Sequence, residues 1–172
     1  MSAPVLETER LILRGHTRAD FAPLMAMWAD PEVVRFITGK PSTREESWGR
    51  LLRYPGMWAL IGYSFWVIEE KTSGQMIGEG GFADFQREID PPIEAPEMGW
   101  ALKPSAQGKG YAFEALSAMI AWGEAHFSRR DFACIIAPEN APSIRLAERL
   151  GFLEVARGAY KEKPTVFFRR PA

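Results

Sequence analysis

The chain has 172 residues, 47% of them hydrophobic and 25% charged, and its 21 basic against 22 acidic side chains leave a net charge of −1. That length favours one domain, burying roughly 70% of its unfolded surface, so no disulfide framework is needed. The absence of a basic excess argues against a nucleic-acid binder. The single cysteine, Cys134, sits in the apolar run from Phe132 to Ile136 and reads as a buried thiol rather than a nucleophile. No basic, apolar leader follows Met1, and no run approaches the ~18 apolar residues of a membrane span, so a soluble cytoplasmic protein is expected.

Residues 5–14, with Leu6, Leu11, Ile12 and Leu13, read as a first strand. Residues 18–29 have helical spacing in Phe21, Leu24, Met25, Met27 and Trp28, and Asp30-Pro31 closes them. A second helix is predicted to start near Pro41-Ser42-Thr43, where a hydroxyl caps ahead of Glu45 and Glu46, and to stop before Pro55-Gly56. Residues 59–69, with Ile61, Tyr63, Phe65, Trp66, Val67 and Ile68, form a strand, Thr72-Ser73-Gly74 a turn, and residues 76–85 the returning strand. Residues 86–96, with three prolines and several acids, form an exposed loop.

Glu97–Leu102 is a short strand that Pro104 ends. Residues 110–127 form a strong helix with Glu114, Ser117, Ala121, Glu124 and Ser128 as its outer stripe. Residues 132–137 form a buried strand, and residues 143–150 a helix entered at Pro142 and stopped by Gly151. Residues 152–160 and 164–169 close as a hairpin. The order predicts an α/β fold, a mixed sheet with helices on both sides.

Two segments carry chemistry. Gln107, Gly108, Lys109, Gly110, Tyr111 and Ala112 lie between a short strand and the long helix. Glycines there let successive N–H groups point into one concavity, and the helix N-terminus adds unpaired donors and partial positive charge. Such a site suits a pyrophosphate, although a ligand-free glycine turn is an equal alternative at this point. The loop matches neither the dinucleotide fingerprint nor the Walker pattern. The second segment runs from Asn140 to Phe152, a helix after a buried strand, and its plainer reading makes Asn140 or Ser143 a simple cap.

Together these segments resemble the GNAT superfamily. Its signature of Gln or Arg, two residues, Gly, one residue, then Gly or Ala is filled by Gln107, Gly110 and Ala112, and its second motif by Asn140 and Leu150-Gly151-Phe152. The opening from Leu6 to Arg14, then Asp30-Pro31-Glu32-Val33, and Glu97-Met98-Gly99-Trp100 ahead of the loop, are similar to the ribosomal-protein N-terminal acetyltransferase branch, the RimJ/RimL type. The resemblance implies a GNAT acyl-CoA N-acyltransferase fold, one domain over residues 1–172, with a splayed strand pair that admits pantetheine between Glu97–Leu102 and residues 132–137.

It further implies acetyl-CoA as co-substrate, with its pyrophosphate on the amides of Gly108, Lys109, Gly110, Tyr111 and Ala112. Main chain near Leu102 would pair with the pantetheine amides and polarise the thioester. Asn140 would bond the arm, and Ser143 would lie near the sulfur. The acceptor is a primary amine, of a protein N-terminus or a small molecule, attacked directly with no covalent enzyme intermediate. Glu97 is the candidate general base, through water.

Many relatives carry a tyrosine acid where this chain has Ala147. Ser143, a water, unaided departure of a thiol of pKa ~8.5, or Tyr160 remain open in its place. That missing tyrosine also admits a different reading, a CoA-binding regulatory module without turnover. His16 and His126 are single and far apart, so no metal is expected, and neither nucleic acid nor membrane is an expected partner. Trp58, Tyr63, Phe65 and Trp66 read as core, and Glu88, Asp90 and Glu94 as a solvated loop. Val166, Phe167 and Phe168 of the closing hairpin suggest a homodimer.

Overall fold

The structure, a computed structural model, describes residues 2–172. The run expected as one first strand is broken in two, and β1 (Leu6–Glu7) and β2 (Leu11–Arg14) pair antiparallel. Thr8 causes the break. Its N–H donates to the Leu11 carbonyl at 3.0 Å and its hydroxyl accepts from the Leu11 N–H at 3.0 Å, which closes a turn at that point. A 3-10 turn, Arg18–Asp20, leads into α1 (Phe21–Ala29). Asp30 ends α1 and then caps a four-residue helix, α2 (Pro31–Val34), which the spacing does not reveal.

Helix α3 (Arg44–Ile61) starts as predicted. Thr43 accepts from the Glu46 N–H at 3.1 Å while Glu46 accepts from the Thr43 N–H at 2.7 Å, a reciprocal capping box. It does not stop before Pro55 but runs on to Gly62, which takes a left-handed φ of 82°. Residues 59–61 are therefore helical, and the next strand begins only at Phe65. Proline costs the helix a backbone bond because it has no N–H to donate. Leu51, Tyr54 and Trp58 form one buried stripe across that position, and the apolar area they remove from water outweighs the lost bond.

The remaining elements follow the predicted order: β3 (Phe65–Glu70), β4 (Gln75–Ala83), β5 (Glu97–Leu102), α4 (Tyr111–Phe127), β6 (Phe132–Ile136), α5 (Ala141–Arg149), β7 (Leu153–Tyr160) and β8 (Lys163–Arg170). The strands form one sheet in the order β1-β2-β3-β4-β5-β6-β8-β7, and every neighbouring pair is antiparallel except β5 with β6. On one face Leu116, Met119 and Ala147 of α4 and α5 meet Phe82, Phe132 and Phe168. On the other, Trp28, Val34 and Tyr54 of α1, α2 and α3 meet Phe65 and Val67. This is the mixed α/β arrangement that the sequence predicts.

Between β3 and β4 the register slips. Glu69 faces Met76 and Ile68 faces Gly78, so Ile77 has no partner on β3. A slip of one residue reverses the side-chain faces that follow. Ile77 goes to the α4 side, and Glu79 goes to the α1–α3 side as a fully buried carboxylate. It accepts from the Tyr54 hydroxyl at 2.6 Å and Trp28 Nε1 at 3.0 Å, and lies 3.1 Å from His16 Nε2.

Cys134 is buried as expected, and burial pushes its thiol up, away from the reactive thiolate. Val166, Phe167 and Phe168 are at most 5% exposed and lie between β6 and β7 within the sheet. They offer nothing to a second copy, which corrects the basis for the dimer expectation; the apolar residues open to solvent there are Leu153 and Val155 on the edge strand β7. Among the described residues no helix is long and apolar enough to cross a membrane.

Candidate active site

Strands β5 and β6 run parallel, yet only Glu97 and Ala133 face each other in register, with the Ala133 N–H donating to the Pro96 carbonyl at 3.1 Å. Beyond that pair the ladder stops, and the β5 edge facing β6 has no strand to bond with. Parallel strands end at the same edge of a sheet. The loop that follows Leu102 and the turn that follows Ile136 therefore emerge together at the open end of the gap, where α/β folds bind ligands.

The loop at that end is built as a donor cradle. The Gln107 side-chain amide donates to the Leu102 carbonyl at 3.1 Å and closes the loop's base. Gly108 and Gly110 hold left-handed φ values of 72° and 81°, a region that strains residues with a Cβ. Among the described residues, the N–H groups of Gly108, Lys109 and Gly110 donate to no protein acceptor. The first turn of α4, with Tyr111 and Ala112, adds helix-end donors. A Cβ built on Gly108 would meet nothing within 4 Å, so the cradle opens outward. Donors, helix dipole and the Lys109 ammonium suit a diphosphate.

The underside of the cradle is fastened to the turn between β1 and β2. Arg10 donates through Nη1 to the Lys109 carbonyl at 3.0 Å, and its guanidinium lies 4.5 Å from the Tyr111 ring centroid. Arg10 Nε also meets Glu114 at 2.7 Å, and Glu114 accepts from the Arg10 N–H at 2.8 Å and the Thr8 hydroxyl at 2.6 Å. Partial burial works to raise the Glu114 carboxyl, but these donors hold it below the usual range. The Tyr111 hydroxyl bonds Glu70. Sequence reasoning missed this use of Arg10 and Glu114, since partners about a hundred residues apart leave no local signal.

Across the gap, Asn140 Oδ1 accepts from the Ser143 N–H at 3.3 Å. The capping role is therefore present, and the amide NH2 of Asn140 remains free to donate elsewhere. The Ser143 hydroxyl bonds no protein atom among the described residues. Ala147 is fully buried in the core and carries no proton to give.

At the closed end Glu97 is 7% exposed, and both its oxygens are taken by Arg87, Nε at 2.7 Å and Nη2 at 2.9 Å. The Arg87 guanidinium lies 4.5 Å from the Phe85 ring centroid and 4.7 Å from that of Tyr160. Burial lifts the Glu97 carboxyl; Arg87 opposes this and Asp84 adds to it, and the outcome lies above the usual range. The loop expected to be wholly solvated thus sends one arginine into the site, although Glu88, Asp90 and Glu94 are exposed as predicted. Tyr160, which the sequence cannot place, belongs to this end. From Glu97 to Leu102 the six residues of β5 rise roughly 17 Å, so the two serve opposite ends of the gap. Trp58, Phe65 and Trp66 are buried core, Tyr63 packs partly buried against it, and the His126 ring stacks on Trp122. Among the described residues no group of three or more His, Cys, Asp or Glu side chains could hold a metal ion.

The sheet split between two parallel strands, with a glycine cradle and a capped helix at its open end, is the arrangement that the GNAT resemblance leads one to expect. A family profile described as acetyltransferase (GNAT) domain matches residues 10–153, and the chain belongs to that family of acyltransferase enzymes. The uncharacterized N-acetyltransferase p20 of Bacillus licheniformis is 32% identical over 149 residues, 86% of this chain and 81% of that protein. A solved GnaT-family acetyltransferase from Bordetella pertussis is 32% identical with a TM-score of 0.86, over 98% of this chain and 99% of that one. RimL, a ribosomal L7/L12 α-N-protein acetyltransferase solved in complex with coenzyme A, is 17% identical with a TM-score of 0.79, over 98% of each chain, and shares the fold.

Proposed function

We propose that the protein, acting as one domain over its 172 residues, transfers the acetyl group of acetyl-CoA to a primary amine, of a protein N-terminus or a small molecule, by direct attack. The observation that carries the reading is the split between β5 and β6 below a cradle of unpartnered amides. Bound acetyl-CoA supplies an activated acetyl carbon and a thiolate leaving group. Gly108, Lys109, Gly110, Tyr111 and Ala112 hold its diphosphate, with Gln107 bracing the loop. The unpaired edge of β5 bonds the arm, with Leu102 near the diphosphate and the donor to the thioester oxygen further down the strand. Asn140 donates its free amide hydrogens to the arm, and Ser143 offers a proton toward the sulfur.

Glu97 takes the amine proton through a water. Arg87 occupies one lone pair on each carboxylate oxygen, and a second lone pair on each remains for that water. A thiol-release assay over a panel of small amines and free-amine peptides tests the reading. Turnover with at least one member is expected, and coenzyme A binding with no release over the whole panel would favour a regulatory module instead.

Two further results are expected. Acetyl-CoA raises the melting temperature, because a ligand selective for the native state stabilises it by about 2.7 kcal/mol at about a hundred times Kd, a shift of roughly 5–10 °C for a chain of this size. No shift at millimolar concentration would refute the cofactor site. Gly110→Pro abolishes that shift, because proline holds φ near about −65° and deletes one N–H, where the loop holds +81°. A folded variant that binds coenzyme A normally would show that the cradle is not the anion site.

A further inference from the structure

Glu97 is a carboxylate held almost out of solvent at the point where β5 and β6 still touch. A buried carboxyl with no partner would rest protonated, and a protonated carboxyl cannot accept a proton from an amine. One cation answers that cost. Arg87 reaches back from the 86–96 loop and meets both oxygens in a fork, the geometry in which guanidinium and carboxylate match best. The guanidinium is itself held by two separate parts of the chain. Phe85 flanks it from two residues past the end of β4, and Tyr160 as the last residue of β7. The loop is tied to β7 once more by the bridge between Asp90 and Ala159. The hairpin tip is tied in turn to the α2–α3 connection, where Lys163 donates to the Thr38 carbonyl at 2.9 Å.

We infer that Arg87 is a positioning residue of this site: clamped between Phe85 and Tyr160, it keeps the Glu97 carboxylate ionised and pointed into the gap. The inference rests on the reading of Glu97 as base. Besides Arg87, the groups facing Glu97 are Asp84, whose charge works against ionisation, the Tyr160 phenol beyond the guanidinium, and the Cys134 thiol on β6, which burial keeps neutral. Arg87 is therefore the one cation among them. Its removal moves the Glu97 carboxyl further up, and the acid limb of the rate profile moves up with it. Arginine to lysine keeps a charge and loses the fork, so it restores the limb in part.

The test uses the full chain with uniformly 13C-labelled glutamate, with the Glu97 carboxyl resonance assigned by its absence in Glu97→Gln. Arg87→Met retains the aliphatic stem between the two rings, and its fold is checked by melting. The Glu97 titration midpoint is expected to rise by at least about one pH unit in Arg87→Met and by less in Arg87→Lys. The acid limb of kcat/KM, measured with the fastest acceptor of the amine panel, should follow while the acetyl-CoA Kd is unchanged. A Glu97 midpoint that stays in place in a folded Arg87→Met overturns the inference, whatever the rate does. A midpoint that moves while the rate profile stays fixed upholds the hold of Arg87 on Glu97 and removes Glu97 from the reaction. The failure of the base reading and the failure of this inference are thus distinct results.

Discussion

Glu97→Gln is expected to lower turnover by roughly 10²–10⁴-fold while leaving acetyl-CoA affinity unchanged. The magnitude is that of a lost general base. A protonated amine has no lone pair, and model α-amines titrate near ~8 and lysine near ~10.4, so near neutral pH a proton must be taken from most acceptor molecules. Glutamine keeps the size and one oxygen of Glu97 but accepts no proton. Affinity is spared because the carboxylate stands at the closed end of the gap, roughly 17 Å along β5 from Leu102 and the cradle. The deficit should shrink as pH rises, since free amine becomes abundant without help. Ser143→Ala should cost less, because a water or unaided thiolate departure replaces the hydroxyl. Single-turnover rates across pH with a turned-over acceptor decide the matter, and an unchanged rate at every pH would leave a site that only positions its two substrates.

The second large effect concerns stability. Glu79→Ala strands the Tyr54 hydroxyl and Trp28 Nε1 as buried donors without an acceptor, and leaves His16, whose side chain is itself buried, without its carboxylate. Breaking a buried charged network from one side costs about 3–5 kcal/mol, a large part of the 5–15 kcal/mol typical of a whole domain. The melting temperature should fall by roughly 10 °C. The pH dependence has a definite sign. Burial alone would raise the Glu79 carboxyl, but His16 and Tyr54 hold it below its ordinary value. A carboxyl lowered in the folded state contributes stability above its unfolded value, near ~4.3, and that contribution is lost as pH falls through the folded value. The stability gap between wild type and Glu79→Ala should therefore narrow on acidification. Urea unfolding at neutral pH and again below pH ~4 measures it, and a gap that widens in acid would contradict the ionised, bonded carboxylate. His16, which stands alone in the sequence, meets the Glu79 carboxylate here.

Where a feature depends on neighbours in the chain, the sequence alone determined it. Thr43 and Glu46 announce the start of α3 because a capping box closes within one turn. Glu97–Leu102 ends at a proline, α5 stops at Gly151, and the glycine cradle stands at the head of α4, each from residues a few positions apart. Gly110 and Asn140 were legible for the same reason, since a left-handed turn and an N-cap are local demands.

Where long-range packing competes with a local rule, only the tertiary structure decided. Pro55 reads as a stop, yet α3 continues because Leu51, Tyr54 and Trp58 have a sheet to bury against. Ile77 shows no sign of the slip that sends Glu79 to the other face, because register belongs to a pair of strands and not to one. Glu97 was legible as a carboxylate on β5 but not as half of a pair. Arg87 stands in a stretch whose prolines and acids read as solvated, and Tyr160 lies more than seventy residues further on. A guanidinium costs free energy to remove from water unless a carboxylate and two ring faces replace the lost contacts, and those three groups meet only once the sheet has brought β4, β5 and β7 together.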